Sequence, residues 1–249
     1  MTKFIVKENS YGHKKRIQFI INQIDKYIKE NDINKDALEI LDVGCGSGLL
    51  ITLPLGQLGY NILGIDTDKI SIDFANTNNI FEKVKFENIP IENIIKKYDI
   101  ILACEILEHL ERPIEFLRNL KSRLKDDGII ILTTPNGHGW SERESRLVNF
   151  IIKLPILKYV LKAIKKNVGN ITLKENDRHI QTFSFQSIKI LFDKSNFIIQ
   201  EWQNGPLFGG PIIERTMAKI PGFKTLSNML GNIVSSKYVL VWYFVLKNK

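Results

Sequence analysis

Three glycines at alternate positions, Gly44, Gly46 and Gly48, interrupt an apolar run and are bracketed by the carboxylates of Asp42 and Asp66. The stretch reads Glu39-Ile-Leu-Asp-Val-Gly-Cys-Gly-Ser-Gly-Leu49, and a second apolar run, Tyr60 to Ile65, ends on Asp66, twenty residues after Gly46. Glycines remove the side chains that would hold a ligand off the backbone, and they accept positive φ. A helix after the turn would point free N–H groups at whatever lies above it. An acidic residue at the tip of the next strand is placed to accept hydrogen bonds from a ribose. The spacing predicts a strand–turn–helix–strand unit that binds a nucleoside.

Spacing also narrows which nucleoside. Dinucleotide enzymes use G-x-G-x-x-G, but the third glycine position, counted from Gly44 and Gly46, is Leu49. Asp42, two places before Gly44, would repel a pyrophosphate and suits a ligand carrying an ammonium group. S-adenosylmethionine has an ammonium, a sulfonium and no phosphate. On these residues the chain resembles the class I S-adenosylmethionine-dependent methyltransferases, whose first motif has the form E/D-x-G-x-G-x-G. The resemblance implies a Rossmann-like, seven-stranded, mostly parallel sheet with S-adenosylmethionine as cofactor. It assigns Asp42, Gly44, Cys45, Gly46, Gly48, Asp66 and Thr67 to cofactor binding. In Phe86-Glu-Asn-Ile-Pro90, Asn88 and Ile89 align with the adenine position, with Glu87 open beside them.

A second signal is Tyr98-Asp-Ile-Ile-Leu-Ala-Cys-Glu-Ile-Leu-Glu-His-Leu110. A buried strand ends at Cys104, and Glu105, Glu108 and His109 follow at i, i+3 and i+4, which share a face if the segment is helical. The run C-E-x-L-E-H is similar to the subgroup that includes the ubiquinone-biosynthesis O-methyltransferases, some of which use a divalent cation. That likeness places Cys104 and Glu105 beside the cofactor. Three roles stay open for the trio: holding a hard cation, with His109 as a metal-free general base or the side chains shaping the loop as the others. No metal is assigned.

Two further stretches fall after the central strand. Thr133-Thr-Pro-Asn136 differs from the N-P-P-Y loop of adenine N-methyltransferases, which argues against a nucleic-acid substrate. Asp177 to Phe192 resembles the H-x-x-x-F-S/T-x-x-x-L segment of small-molecule, quinone and sugar O-methyltransferases, so His179 either faces the pocket or caps a helix near Ser184. A neutral hydroxyl is a poor nucleophile and needs a base or a metal. His109, then His138 and His179, are the catalytic candidates for an oxygen acceptor.

The elements that must position these groups alternate. Strands are expected at Leu38–Val43, Asn61–Ile65, Val84–Phe86, Asp99–Cys104, Ile129–Thr133, Phe197–Gln203 and Val239–Leu246, the last antiparallel as in the resembled family. Helices are expected at Leu49–Leu58, Lys69–Asn78, a short piece near Glu92–Lys96, Pro113–Leu124 and Phe185–Ser195. Such alternation implies a parallel sheet with helices on both faces and ligands beyond the carboxyl ends of its strands. An amphipathic helix with Ile17, Ile20, Ile21, Ile24 and Ile28 on one side occupies the N-terminal segment 1–34 and packs on or lids the core. Residues 137–178 read as a helical insertion after strand 5, and 205–236 as an irregular cap segment within one domain, 1–249. The insertion's basic stretch 146–166 suits either an interfacial helix on an anionic membrane or a lid with its lysines in water.

Composition bounds the rest. With 249 residues, 44% hydrophobic and 25% charged, the chain is an ordinary globular protein, and its +8 formal charge leaves room for an anionic partner. Cys45 and Cys104 are expected as free thiols in a reducing compartment. No secretory leader or spanning helix is read, so the expected location is cytoplasmic, with peripheral contact on the inner membrane face open. The expected function is methylation of a small-molecule, glycan or lipid-linked acceptor, with oligomeric state undetermined and no nucleic acid. The alternatives are a non-catalytic S-adenosylmethionine-binding partner subunit, or a nucleic-acid or protein methyltransferase.

Overall fold

The computed structural model describes residues 12–139, 180–209 and 220–249. One sheet holds seven strands: β1 (Glu39–Val43), β2 (Asn61–Ile65), β3 (Val84–Glu87), β4 (Tyr98–Cys104), β5 (Leu124–Pro135), β6 (Phe197–Asn204) and β7 (Val241–Asn248). Their order is β3-β2-β1-β4-β5-β7-β6, with β1 to β5 parallel and β7 antiparallel to both neighbours. The expected mostly parallel sheet with an antiparallel last strand is the one that forms. The basic stretch 146–166 and His179 lie outside the described residues. No described helix is long and apolar enough to cross a membrane.

Successive strand residues point to opposite faces, and both faces here are apolar. Ile101 and Ala103 of β4 join one core with Leu41, Val43, Ile130 and Leu132. Ile100 and Leu102 join the other with Ile40, Ile129, Ile131 and Val245. Helices α4 (Pro113–Ser122) and α5 (Phe185–Lys194) cover the first face, and α1 (His13–Asn31), α2 (Thr52–Gln57) and α3 (Lys69–Asn78) cover the second. Burial on both sides is why these strands read as unbroken apolar runs.

The N-terminal helix packs on the core, with its buried stripe rotated from the one the isoleucine spacing marks. Phe19, Ile20, Gln23, Ile24 and Tyr27 are covered, whereas Ile17, Ile21 and Ile28 are only partly so. Phe19 packs its ring 5.5 Å from that of Tyr243 on β7.

Two expectations are corrected. The helix after the glycine turn begins at Thr52 rather than Leu49 and is six residues long, because Gly48 at φ +70° and a turn through Ile51 intervene. A helix this short aims little at a ligand. Residues 205–236, read as irregular from their glycines and prolines, contain α6 (Phe223–Ile233). Gly222 starts that helix at φ +79°, and Gly231 lies so close to Gly205 that an added Cβ would sit 2.1 Å from its carbonyl oxygen. These glycines serve close approach, not chain breaking.

Within the turn, Gly44 and Cys45 both donate their N–H to the Ile65 carbonyl, at 2.9 and 3.1 Å, which ties β1's exit to the end of β2. Gly46 has φ +53° with open space where a Cβ would go, whereas a Cβ on Gly48 would meet the Phe86 ring at 2.5 Å. Gly46→Ala should therefore cost about 1 kcal/mol through its left-handed backbone alone. Gly48→Ala should cost roughly 2–4 kcal/mol, since overpacking adds to the same strain. Urea unfolding of the two variants checks both the order and the gap.

Candidate functional site

The strand order reverses between β1 and β4, and open α/β sheets bind their ligands at that point. A cavity of about 490 Å³ opens there, within the range of small-molecule sites. Gly44, Asp66, Thr67, Ile89, Pro90 and Ile91 line one part of it, and Glu105, Ile106, His109, Leu110 and Phe116 line the other. The structure thus brings together Gly44, Asp66, Thr67, Ile89, Glu105 and His109 from the sequence-derived set. Asp42, Cys45, Gly46, Gly48, Asn88 and Cys104 stand around or beneath it without lining it.

Asp66 sits at the tip of β2 with both oxygens engaged: Gly46 N–H donates to Oδ2 at 2.8 Å and Asp68 N–H to Oδ1 at 2.9 Å. The Asn88 amide donates to the Asp66 carbonyl at 2.9 Å, holding the loop after β3 against it. Asp42 lies below, 2% exposed, and accepts the Thr52 hydroxyl at 2.6 Å. Burial pushes its carboxyl up to about 7; the Thr52 hydroxyl and Arg16 offset part of this and Asp66 adds to it. Burial, reinforced by Asp42 and Asp66, also raises the Cys45 thiol, and burial pushes the Cys104 thiol up to about 12. Both cysteines are free, and both are poor nucleophiles in this setting.

Arg16 was absent from the sequence-derived set. From α1 its guanidinium reaches Glu105 at 3.6 Å, with Arg16 and Glu105 side chains 14% and 34% exposed. Burial opposes its charge, but Glu105, Cys104, Tyr243 and Asp42 outweigh that and raise its pKa. Its Nε is buried without a hydrogen-bond partner, as is Nε2 of His13 one turn earlier. Burial and then Arg16 lower His13 to about 4, leaving the imidazole neutral. The available signal was His13-Lys-Lys-Arg16 itself. Basic residues open α1 where the helix dipole is already positive, and no acidic residue offsets them in that turn.

The expected common face of Glu105, Glu108 and His109 does not form. Glu105 turns the chain at φ +55°, and only Leu107–His109 makes a short 3-10 turn. Glu105 is held by its N–H to the Thr133 carbonyl, 2.9 Å, and by the Thr133 hydroxyl to Oε1, 2.7 Å. Glu108 points inward, 1% exposed, toward the Thr134 hydroxyl at 3.4 Å, and its carbonyl accepts the N–H groups of Ile180 and Gln181. His109 faces the cavity with Nε2 3.9 Å from Glu108 Oε1. Among the described residues no three His, Cys, Asp or Glu side chains cluster closely enough to hold a metal ion. His138 is exposed, its N–H bonded to the Asn136 side chain at 3.0 Å, and it does not line the cavity.

Comparison with known proteins follows the same line. A family model described as a methyltransferase domain matches residues 11–201, more than three quarters of the chain. The ubiquinone biosynthesis O-methyltransferase of Rickettsia canadensis (strain McKiel) is 34% identical over 161 residues, 62% of this chain and 62% of that protein. That of Rickettsia bellii (strain OSU 85-389) is 41% identical over 127 residues, covering 49% and 50%. The chain spans about three fifths or less of the length of these curated relatives. Among solved structures, a plantazolicin methyltransferase bound to a triazolic desmethyl analogue and S-adenosylhomocysteine matches with TM-score 0.59 at 16% identity, over 99% of this chain and 89% of that one. The magnesium protoporphyrin IX methyltransferase of Synechocystis PCC 6803 matches with TM-score 0.56 at 15% identity, over 96% and 84%. At such identities the likeness is one of fold.

Asp42 gives the site a stability signature. Its native pKa of about 7 exceeds the ordinary carboxyl value, so across about pH 4–7 the native state keeps a proton the unfolded chain has lost. Its contribution therefore weakens as pH rises through that window and is flat above it. His13, lowered to about 4, acts in the opposite sense between about pH 4 and 6.5. The stability difference between Asp42→Asn and wild type should accordingly grow with pH by on the order of 1 kcal/mol per unit and level off above about pH 7. Urea midpoints across that range measure it.

Proposed function

The chain belongs to the methyltransferase-domain family, and from that premise we propose that it binds S-adenosylmethionine at Gly44 and Asp66 and methylates an oxygen of a small-molecule acceptor. One observation carries the reading: bare backbone at Gly44 and the Asp66 carboxylate share one cavity wall at the point where strand order reverses.

The residues present fit that cofactor. Asp66 holds one N–H on each oxygen, and each carboxylate oxygen has capacity for a second donor, here a ribose hydroxyl. Ile89, Pro90 and Ile91 offer an apolar wall to adenine. Arg16, with an unpartnered buried Nε, suits the methionine carboxylate, and Glu105 on the cavity wall suits the ammonium. Bound there, S-adenosylmethionine supplies an electrophilic methyl group on its sulfonium. The chain's own contribution is alignment of the acceptor, worth several kcal/mol, and management of the acceptor's proton.

His109 is the residue we assign to that proton. It stands on the cavity wall, and the buried Glu108 carboxylate behind it would stabilise the imidazolium once formed. Relatives named as ubiquinone biosynthesis O-methyltransferases support an oxygen acceptor, whether a free small molecule, a glycan or a lipid-linked hydroxyl.

Asp66→Ala should weaken S-adenosylhomocysteine binding by about 1–3 kcal/mol through lost charge-assisted hydrogen bonds. Calorimetry reads this directly, and unchanged affinity would place the ribose elsewhere. His109→Gln should lower the methyl-transfer rate by roughly a hundredfold while leaving S-adenosylhomocysteine affinity as it was. A rate indifferent to this change would remove His109 from the proton's path.

A further inference from the structure

An arginine carries its N–H donors on three nitrogens, and for Arg16 the protein itself meets only the two terminal ones. Nη1 lies 3.6 Å from Oε1 of Glu105. Nη2 lies 3.4 Å from Nδ1 of His13, three residues earlier on α1. Nε is buried and has no partner among the described residues. A guanidinium only donates, so Nδ1 must be the acceptor, and this assigns the imidazole proton to Nε2. Burial first, then the charge of Arg16, keeps the ring neutral by lowering it to about 4. His13 Nε2–H is therefore a second buried donor without a partner among the described residues.

Buried donors almost always find an acceptor, and each exception needs a reason. Packing alone does not supply one, since an apolar side chain at position 13 would fill the space without a desolvated N–H. The backbone of this turn is already fixed. The Tyr243 hydroxyl of β7 donates to the Gly12 carbonyl at 3.4 Å, and Lys15 donates to the Asn228 carbonyl at 3.1 Å and the Asn232 side chain at 2.6 Å. Gly12, at φ +85°, lies so close to Pro206 that an added Cβ would meet its ring at 3.0 Å. What is left to fix is the long Arg16 side chain, which has many rotamers to lose. Glu105 alone would let the guanidinium swing about Nη1. A second contact at Nη2 sets its plane.

We propose that His13 is a positioning residue for the methyl donor: its Nδ1 takes Nη2 of Arg16, fixes the guanidinium against Glu105 and leaves Nε–H for the carboxylate at the donor's amino-acid end. One choice then explains both unpartnered atoms. Nε of Arg16 is reserved for the ligand, and a neutral imidazole that accepts at Nδ1 can carry its proton only at Nε2. The proposal rests on the reading that S-adenosylmethionine binds with its carboxylate at Arg16, and it deepens that reading. A residue without contact to the nucleoside sets how firmly the amino-acid half is held, and so how well the site tells the donor from a bare thionucleoside.

Calorimetry of the full chain with S-adenosylhomocysteine and with methylthioadenosine, which keeps the nucleoside and the thioether but lacks the amino-acid end, reads the two halves separately. His13→Leu should weaken S-adenosylhomocysteine roughly tenfold and leave methylthioadenosine as it was, so the wild-type preference narrows by that factor. His13→Asn should restore most of the preference, because its Oδ1 stands as many bonds from Cα as Nδ1 does. His13→Gln, whose acceptor lies one bond further out, should not restore it. A histidine that merely filled space would give the reverse order, with leucine close to wild type and asparagine harming both ligands alike, and that result would overturn the proposal. Undiminished preference in His13→Leu would overturn it too, while the cofactor reading stood. Failure of the wild type to bind S-adenosylhomocysteine would remove the cofactor reading, and this proposal with it.

Discussion

A guanidinium taken out of water must be met by carboxylates, because an uncompensated buried charge is far costlier than a lost hydrogen bond. Arg16 imposes that condition on the carboxyl edge of the sheet. Glu105 just past β4 supplies the negative charge 3.6 Å away, and Arg16 reaches it only if α1 lies across the second face of the sheet. Helix, strands and site are thereby fixed together. Phe19 and Ile24 of α1 hold the helix in that place by burial, so apolar packing and charge pairing specify the same position.

Strain is concentrated where the ligand would sit. Gly44, Gly46 and Gly48 take left-handed φ, and so does Glu105, which has a side chain and bears the cost. Two bonds to Thr133 keep Glu105 there, and the result is a carboxylate delivered to the cavity wall directly off a buried strand. Had the segment been helical, Glu108 would have shared that wall. Instead it turns inward under His109, so the segment presents a histidine backed by a buried carboxylate rather than three side chains on one face.

The same edge carries α6. Ser227 and Gly231 face the fold and Phe223 stacks on Phe208, while Leu226, Met229 and Ile233 face away. Through Lys15, α6 is joined to the helix that supplies Arg16.

Continuous apolar runs and the glycine spacing determined, by themselves, the strands of the sheet, the turn at Gly44 to Gly48 and the acidic tip at Asp66. These are local properties: apolar run length, φ tolerance and chain distance are written in consecutive residues. Three matters were decided only by tertiary structure. Arg16 came to pair with Glu105 on the cavity wall because α1 folds over a strand end distant in sequence, and nothing within α1 says which charges it will meet. Glu108 left the cavity because the chain reverses at Glu105 to satisfy Thr133, a partner on another strand. α6 formed in a segment whose glycines look like breakers, because close approach of Gly231 to Gly205 converts missing side chains into a packing contact.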